Sequence, residues 1–99
     1  MSRNLYAVVE ASKRMDNMAS SWVHGYIDRI YFDSNSAKER IDELAKELKA
    51  FYTEDSDYEI KMEIYDPGKS FTIRTYDKFR NRDTVERYTV EKTFIYDEP

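Results

Sequence analysis

Residues 34–52, SNSAKERIDELAKELKAFY, decide the fold. Apolar side chains recur there at Ala37, Ile41, Leu44, Ala45, Leu48 and Phe51 or Tyr52. Steps of three and four residues place them on one stripe of an α-helix. Ser36 and Glu39 have the spacing of a capping box: the hydroxyl accepts from an amide of the first turn and the carboxylate reaches back. Asp33, Ser34 and Asn35 compete as N-caps. The opposite side of the helix carries Glu39, Arg40, Asp42, Glu43, Lys46, Glu47 and Lys49. This period returns nowhere else, so one helix is expected.

On both sides of it the pattern belongs to strands. Residues 5–11 (LYAVVEA) and 22–32 (WVHGYIDRIYF) are rich in β-branched and aromatic side chains. Gly25 inside the second run marks a bulge or a close backbone approach. Between them, residues 12–21 (SKRMDNMASS) read as a flexible loop. After a polar break at residues 54–57, Tyr58, Ile60, Met62 and Ile64 alternate with Glu59, Lys61, Glu63 and Tyr65, which gives a strand with one apolar side. Asp66-Pro67-Gly68-Lys69 is a turn, with Pro at its second position and Gly free to take positive φ. Phe71, Ile73, Thr75 and Phe79 then alternate with Thr72, Arg74, Tyr76 and Lys78. The chain reverses near Asn81-Arg82-Asp83 and ends in a long strand over residues 84–96, with Tyr88, Val90, Phe94 and Tyr96 on one side. Short turns require antiparallel pairing. The expected fold is a single α+β domain over residues 1–99, ordered ββαβββ, with an antiparallel sheet of about five strands and one amphipathic helix on one face. The uncovered face is expected to hold Tyr65, Arg74, Tyr76, Lys78 and Arg87 and to meet a partner, a copy of the chain included.

The composition excludes several function classes. The 99 residues are 40% apolar, 15% aromatic and 36% charged, with a formal net charge of −4. Nine tyrosines argue against whole-chain disorder. No apolar run approaches the roughly 20 residues that span a bilayer. With no Cys there is no disulfide framework, thiolate metal site or thiol nucleophile. The single His24 has no recognisable triad around it and reads as a surface strand residue. Glu54, Asp55, Asp57 and Glu59 lack the Gly and the bidentate Glu of a calcium loop and read as a solvated turn. No glycine-rich phosphate loop, serine elbow or kinase signature occurs, and no cofactor is expected. The opening MSRNLYAVV has no signal-peptide core, and with the missing Cys this points to a cytoplasmic address.

Charge is unevenly spread: +1 over residues 1–32, −6 over residues 33–66 and +3 over residues 67–96. Two candidate binding surfaces follow. One is an acidic helix face of Glu39, Asp42, Glu43 and Glu47, suited to a basic protein groove. The other is a basic, aromatic ribbon of Arg74, Tyr76, Lys78, Arg80, Arg87 and Tyr88, where rings among cations could stack bases. Interleaved Asp77, Asp83 and Glu86 and a pI near 5.0 weigh against nucleic acid.

The stretch IYFDSNSAKERIDELAKEL, with the strand at Tyr6–Val9 before it, resembles small phage and prophage proteins of unknown function. Those open with a strand, a loop, a second strand ending in an aromatic and a helix start of the form Ser…Ala-x-Glu. Ile30–Phe32, Ser34–Ser36, Ala37 and Glu39 carry the likeness here. It covers the first half of the chain and brings no catalytic residues with it. It implies a short, acidic accessory protein of viral origin that binds and blocks a host factor, defence nucleases among them. The first expectation is therefore a non-catalytic protein-binding module, a phage-encoded inhibitor of a host protein. A homo-oligomeric accessory domain is the second. An enzyme acting on small substrates through carboxylates and tyrosines is the third.

Overall fold

The computed structural model describes residues 2–15 and 22–96. Its elements are β1 (Ser2–Arg14), β2 (Val23–Tyr31), α1 (Ser34–Glu54), β3 (Tyr58–Asp66), β4 (Ser70–Asp77) and β5 (Arg82–Tyr96). The five strands form one antiparallel sheet in the order β2-β1-β5-β4-β3. This is the α+β fold, ordered ββαβββ, that the sequence implies. The first and last strands lie together inside the sheet and pair without a register shift from Ser2↔Tyr96 to Arg14↔Thr84.

β1 runs past residue 11, so residues 12–14 of the expected flexible loop are strand. The Met15 amide continues the pairing by donating to the Asp83 carbonyl at 2.7 Å. The rest of that loop, residues 16–21, lies outside the described residues. Among the competing caps, Asp33 takes the N-cap: it is extended, and its carboxylate accepts from the Ser36 amide and hydroxyl, each at 2.8 Å. Ser36 is therefore a donor rather than the cap of a capping box. The Ser36 amide holds the Asp33 carboxyl below its ordinary range.

A helix of 21 residues is about 31 Å long, while five strands span about 19 Å. α1 therefore crosses the sheet obliquely and touches every strand. Its first half packs Ala37, Ile41 and Leu44 on Val8 and Tyr88, with Tyr6, Tyr31 and Val90 alongside. Its second half packs Ala45 on Phe71 and Ile73, with Tyr52 and Ile60 alongside. Leu48 belongs to both clusters. The two alanines let the rod come close to the strands. Tyr52 and Tyr88 bring large rings into a thin core and settle their hydroxyls on Glu86, at 2.6 Å, and on Tyr26, at 3.4 Å.

The β3–β4 turn forms as the sequence indicates. The Lys69 amide donates to the Asp66 carbonyl at 2.9 Å, and Gly68 takes φ of +71°. The Gly68 amide donates to Asp42 Oδ1 at 2.9 Å and ties the turn to α1.

One expectation about faces is corrected. A bulge between Ile60 and Met62 leaves Lys61 as an extra residue. Tyr58 and Ile60 face the helix, but beyond the bulge the alternation is inverted. Met62 and Ile64 therefore share the register of Arg74 and Thr72 on the other face, and Tyr65 lies on the helix side. Phe79 does not continue β4 either; it sits in the following turn, 80% exposed.

With one layer over one face, the molecule is spread out. Its radius of gyration is 15.6 Å, against about 13 Å for a compact domain of this length. Its accessible surface is 6943 Å², against about 5,900 Å² for a compact monomer of 11.9 kDa. Ile41 is fully buried where the first half of the helix meets β1 and β5. Ile41→Ala is expected to remove about 2–5 kcal/mol of unfolding free energy, read from urea denaturation. A loss well under 1 kcal/mol would mean that α1 does not close this core.

Candidate functional site

Two bulges in β2, at Asp28 and at Gly25, set what that strand presents. Asp28 is an extra residue, so Ile27 and Ile30, three apart in sequence, both pair with odd-numbered β1 residues and fall on the face away from α1. They are 56% and 55% exposed. At the opposite edge the β3 bulge puts Met62 and Ile64 on that same face, 40% and 55% exposed. The uncovered face thus carries large apolar side chains at both margins.

Its middle is ordered in rungs across the strands. Ile30, Ala7 and Glu91 share one rung; Ile27, Val9 and Thr89 share the next; Ala11, Arg87, Thr72 and Ile64 share the third. A shallow cleft of about 250 Å³ beside the second rung is lined by Val9, Gly25, Ile27 and Glu91 together with Glu10 and Tyr26. Farther along, charges pair within the chain. Arg74 makes a two-point contact with Asp83, at 3.0 and 2.8 Å. That contact pulls the Asp83 carboxyl down and pushes the Arg74 guanidinium up. Lys61 lies 3.6 Å from Asp83 and 5.0 Å from the centre of the Tyr76 ring. Arg87 lies 4.3 Å from the Trp22 ring centre, a cation–π contact that fixes its direction. Ala11 and Val85 reach 5% exposure each although they face away from the helix.

The expected basic ribbon is only partly assembled. Arg74, Tyr76 and Arg87 share the open face. Tyr88 does not: it faces α1, 4% exposed, and burial pushes its hydroxyl well above the ordinary tyrosine range. Lys78 and Arg80 lie in the β4–β5 turn, where Asp77 accepts from the Phe79 and Arg80 amides at 3.0 Å each. The Tyr76 hydroxyl donates to Asn81.

The acidic helix face is divided as well. Asp42 points to the β3 side, where it accepts from the Tyr65 hydroxyl at 2.6 Å and from the Gly68 amide. Glu43 and Glu47 lie 2.5 and 3.7 Å from Arg40, which also grips Asp28 on β2 at 2.7 and 3.1 Å. Glu39 is exposed on the helix surface. The four carboxylates thus do not form one free acidic surface.

On the helix side, beside Tyr26 and Tyr88, lies a carboxylate in an unfavourable place. Glu10 is 6% exposed; burial, then the like charge of Glu86, holds its carboxyl above the ordinary range. A Cβ at Gly25 would lie 1.7 Å from Glu10 Oε2. A side chain at this position would have to push the end of the Glu10 side chain aside. Burial pushes the hydroxyls of Tyr88, and of Tyr52 on Glu86, far up, so both stay protonated near neutrality, and Tyr52 donates to Glu86.

Among the described residues no group of three or more His, Cys, Asp or Glu side chains is placed to hold a metal ion. No described helix is long and apolar enough to cross a membrane. The chain matches no protein-family model, and comparison with curated proteins and with solved structures finds no match.

Because Glu10 binds its proton more tightly folded than unfolded, its ionisation opposes folding. Stability falls as pH rises from the unfolded value near 4.5 through the raised folded value, and the penalty is constant above that. Glu10→Gln is expected to melt higher than the parent at pH 7 and level with it near pH 3. Equal melting temperatures at both pH values would remove this account of Glu10.

Proposed function

We propose that the chain is a non-catalytic protein-binding module of the phage accessory kind, which blocks a host defence protein by contact. The observation that carries this reading is the uncovered sheet face, with Ile27, Ile30, Met62 and Ile64 exposed in an ordered scaffold. Exposed apolar side chains at both margins of one sheet face, with polar and charged groups between them, suit contact with another protein. Fully burying one of them is worth about 1.5–3 kcal/mol. The chain brings little for catalysis: one His, no Cys, and tyrosines held protonated at Tyr52 and Tyr88. The likeness of its first half to small phage proteins supplies the host context.

In cells carrying a defence nuclease, expression of the chain is expected to raise the plating of a restricted phage. Ile27→Asp/Ile30→Asp is expected to abolish that gain, since losing two such anchors weakens a complex by about a hundredfold or more. Its circular dichroism and melting should stay those of the parent. A folded double variant that protects the phage as well as the parent would remove the face from the function. A parent chain without effect across a panel of defence systems would remove the inhibitor reading.

A further inference from the structure

The bulge in β3 leaves a space as well as an exposed apolar margin. With strict alternation from Tyr58, Met62 and Ile64 would fill the gap between α1 and β3. The extra Lys61 sends them to the open face and turns Glu63 and Tyr65 toward the helix instead. Between the helix and this outer strand a cleft of about 330 Å³ remains, with Phe71 of β4 and Ala45 of α1 among its lining.

The cleft has an apolar base and a charged rim. Phe71 and Ala45 are buried, and the small alanine leaves the space open. Tyr65 forms a wall: its ring meets Phe71 edge-on, with centroids 6.5 Å apart and planes at 70°. Its hydroxyl donates to Asp42 Oδ1 at 2.6 Å, and the Gly68 amide donates to the same oxygen at 2.9 Å. The wall is thereby tied to the helix, and the Asp42 charge is partly met within the chain. Lys46 and Lys49 also line the cleft, three residues apart and so neighbours on α1. Lys49 lies 3.3 Å from Glu63 in an exposed ion pair, a weak contact in water. Lys46 is exposed and has no ion-pair partner among the described residues.

We propose that this cleft binds a small one-ring aromatic carboxylate, its ring against Tyr65, Phe71 and Ala45 and its carboxylate on Lys46. The volume is at the lower end of ligand sites, roughly 300–1,000 Å³, which suits one ring and one short acid arm. Aromatic rings favour offset or edge-to-face partners, and Tyr65 presents a half-exposed ring for such a contact. A carboxylate takes charge-assisted hydrogen bonds from an ammonium, and beside an apolar wall that contact is screened less than on open surface. A cationic ligand would instead meet two ammonium groups and find Asp42 and Glu63 already engaged.

The cleft lies on the helix side of the sheet, so this site is separate from the open face and does not depend on what that face binds. Phenylacetate serves as the probe. For a ligand of about ten non-hydrogen atoms a Kd in the millimolar range is expected. In proton–nitrogen NMR titrations of the full chain, its shifts should centre on the amides of residues 45–49, 63–65 and 71. Phenylacetamide, which lacks the charge, and acetate, which lacks the ring, should each bind at least about fivefold more weakly. Lys46→Ala should weaken phenylacetate about fivefold or more, and Lys46→Glu further. Lys46 is exposed, so both variants should keep the parent's unliganded spectrum, and a loss of binding then reads the contact rather than the fold. Ile27→Asp/Ile30→Asp should bind phenylacetate as the parent does.

No saturation with phenylacetate by about 20 mM overturns the proposal. So does phenylacetamide that binds as tightly as phenylacetate, or a Lys46→Ala variant that keeps the parent's Kd. Shifts that centre on the open face would place the ligand elsewhere and overturn it as well.

Discussion

Everything in this molecule follows from a mismatch of numbers: five paired strands have two faces, and the chain has one helix to lay on them. Crossing obliquely, α1 reaches all five strands, but its apolar stripe is one residue wide at most points. The core beneath it is thin, and tyrosine suits a thin core because the ring can be buried while the hydroxyl finds an acceptor at its rim. The polar side of the helix is also used internally. Arg40 fastens it to β2 and Asp42 fastens it to the β3–β4 turn. Two residues of what looks along the sequence like a row of surface charge, Arg40 and Asp42, are clamps that hold the rod in place.

Element order and the helix were legible because they depend on local periodicity and on turn chemistry. The stripe from Ala37 to Leu48, the Pro67-Gly68 turn and the alternation of Phe71, Ile73 and Thr75 each state their meaning within a few residues. The faces of β2 and β3 were not legible in the same way. A strict period of two is broken by one extra residue, and nothing in YEIKMEIY says that Lys61 is that residue. The same holds for Asp28, which brings Ile27 and Ile30 to one side. The open face and its apolar margins depend on these insertions, so the sequence directed attention instead to the charged residues of α1, β4 and β5. Gly25 was the exception: a glycine inside an aromatic strand signals a bulge or a close approach, and both are present there.

The bulges also explain which surface is left for contact. They occur in the outer strands β2 and β3, while β1 and β5 pair regularly at the centre. An edge with an irregular ladder, and in β3 a lysine at the irregularity, is a poor template for another strand. The same insertions turn apolar side chains out of the helix layer and onto the open face. Edge pairing is discouraged and face packing is equipped by one structural device.

The pairing of β1 with β5 has a temporal consequence. These partners come from opposite ends of the chain, yet they form the middle of the sheet. During synthesis the β1–β2 hairpin and the β3–β4 hairpin can each close locally, but neither has its inner neighbour until the last strand has left the ribosome. Contacts so distant in sequence slow folding, and they make β5 the strand that joins two half-sheets into one. The protein is therefore committed to its structure late and nearly all at once, and a nascent chain stopped short of β5 would hold two unjoined ribbons beneath a helix with little to rest on.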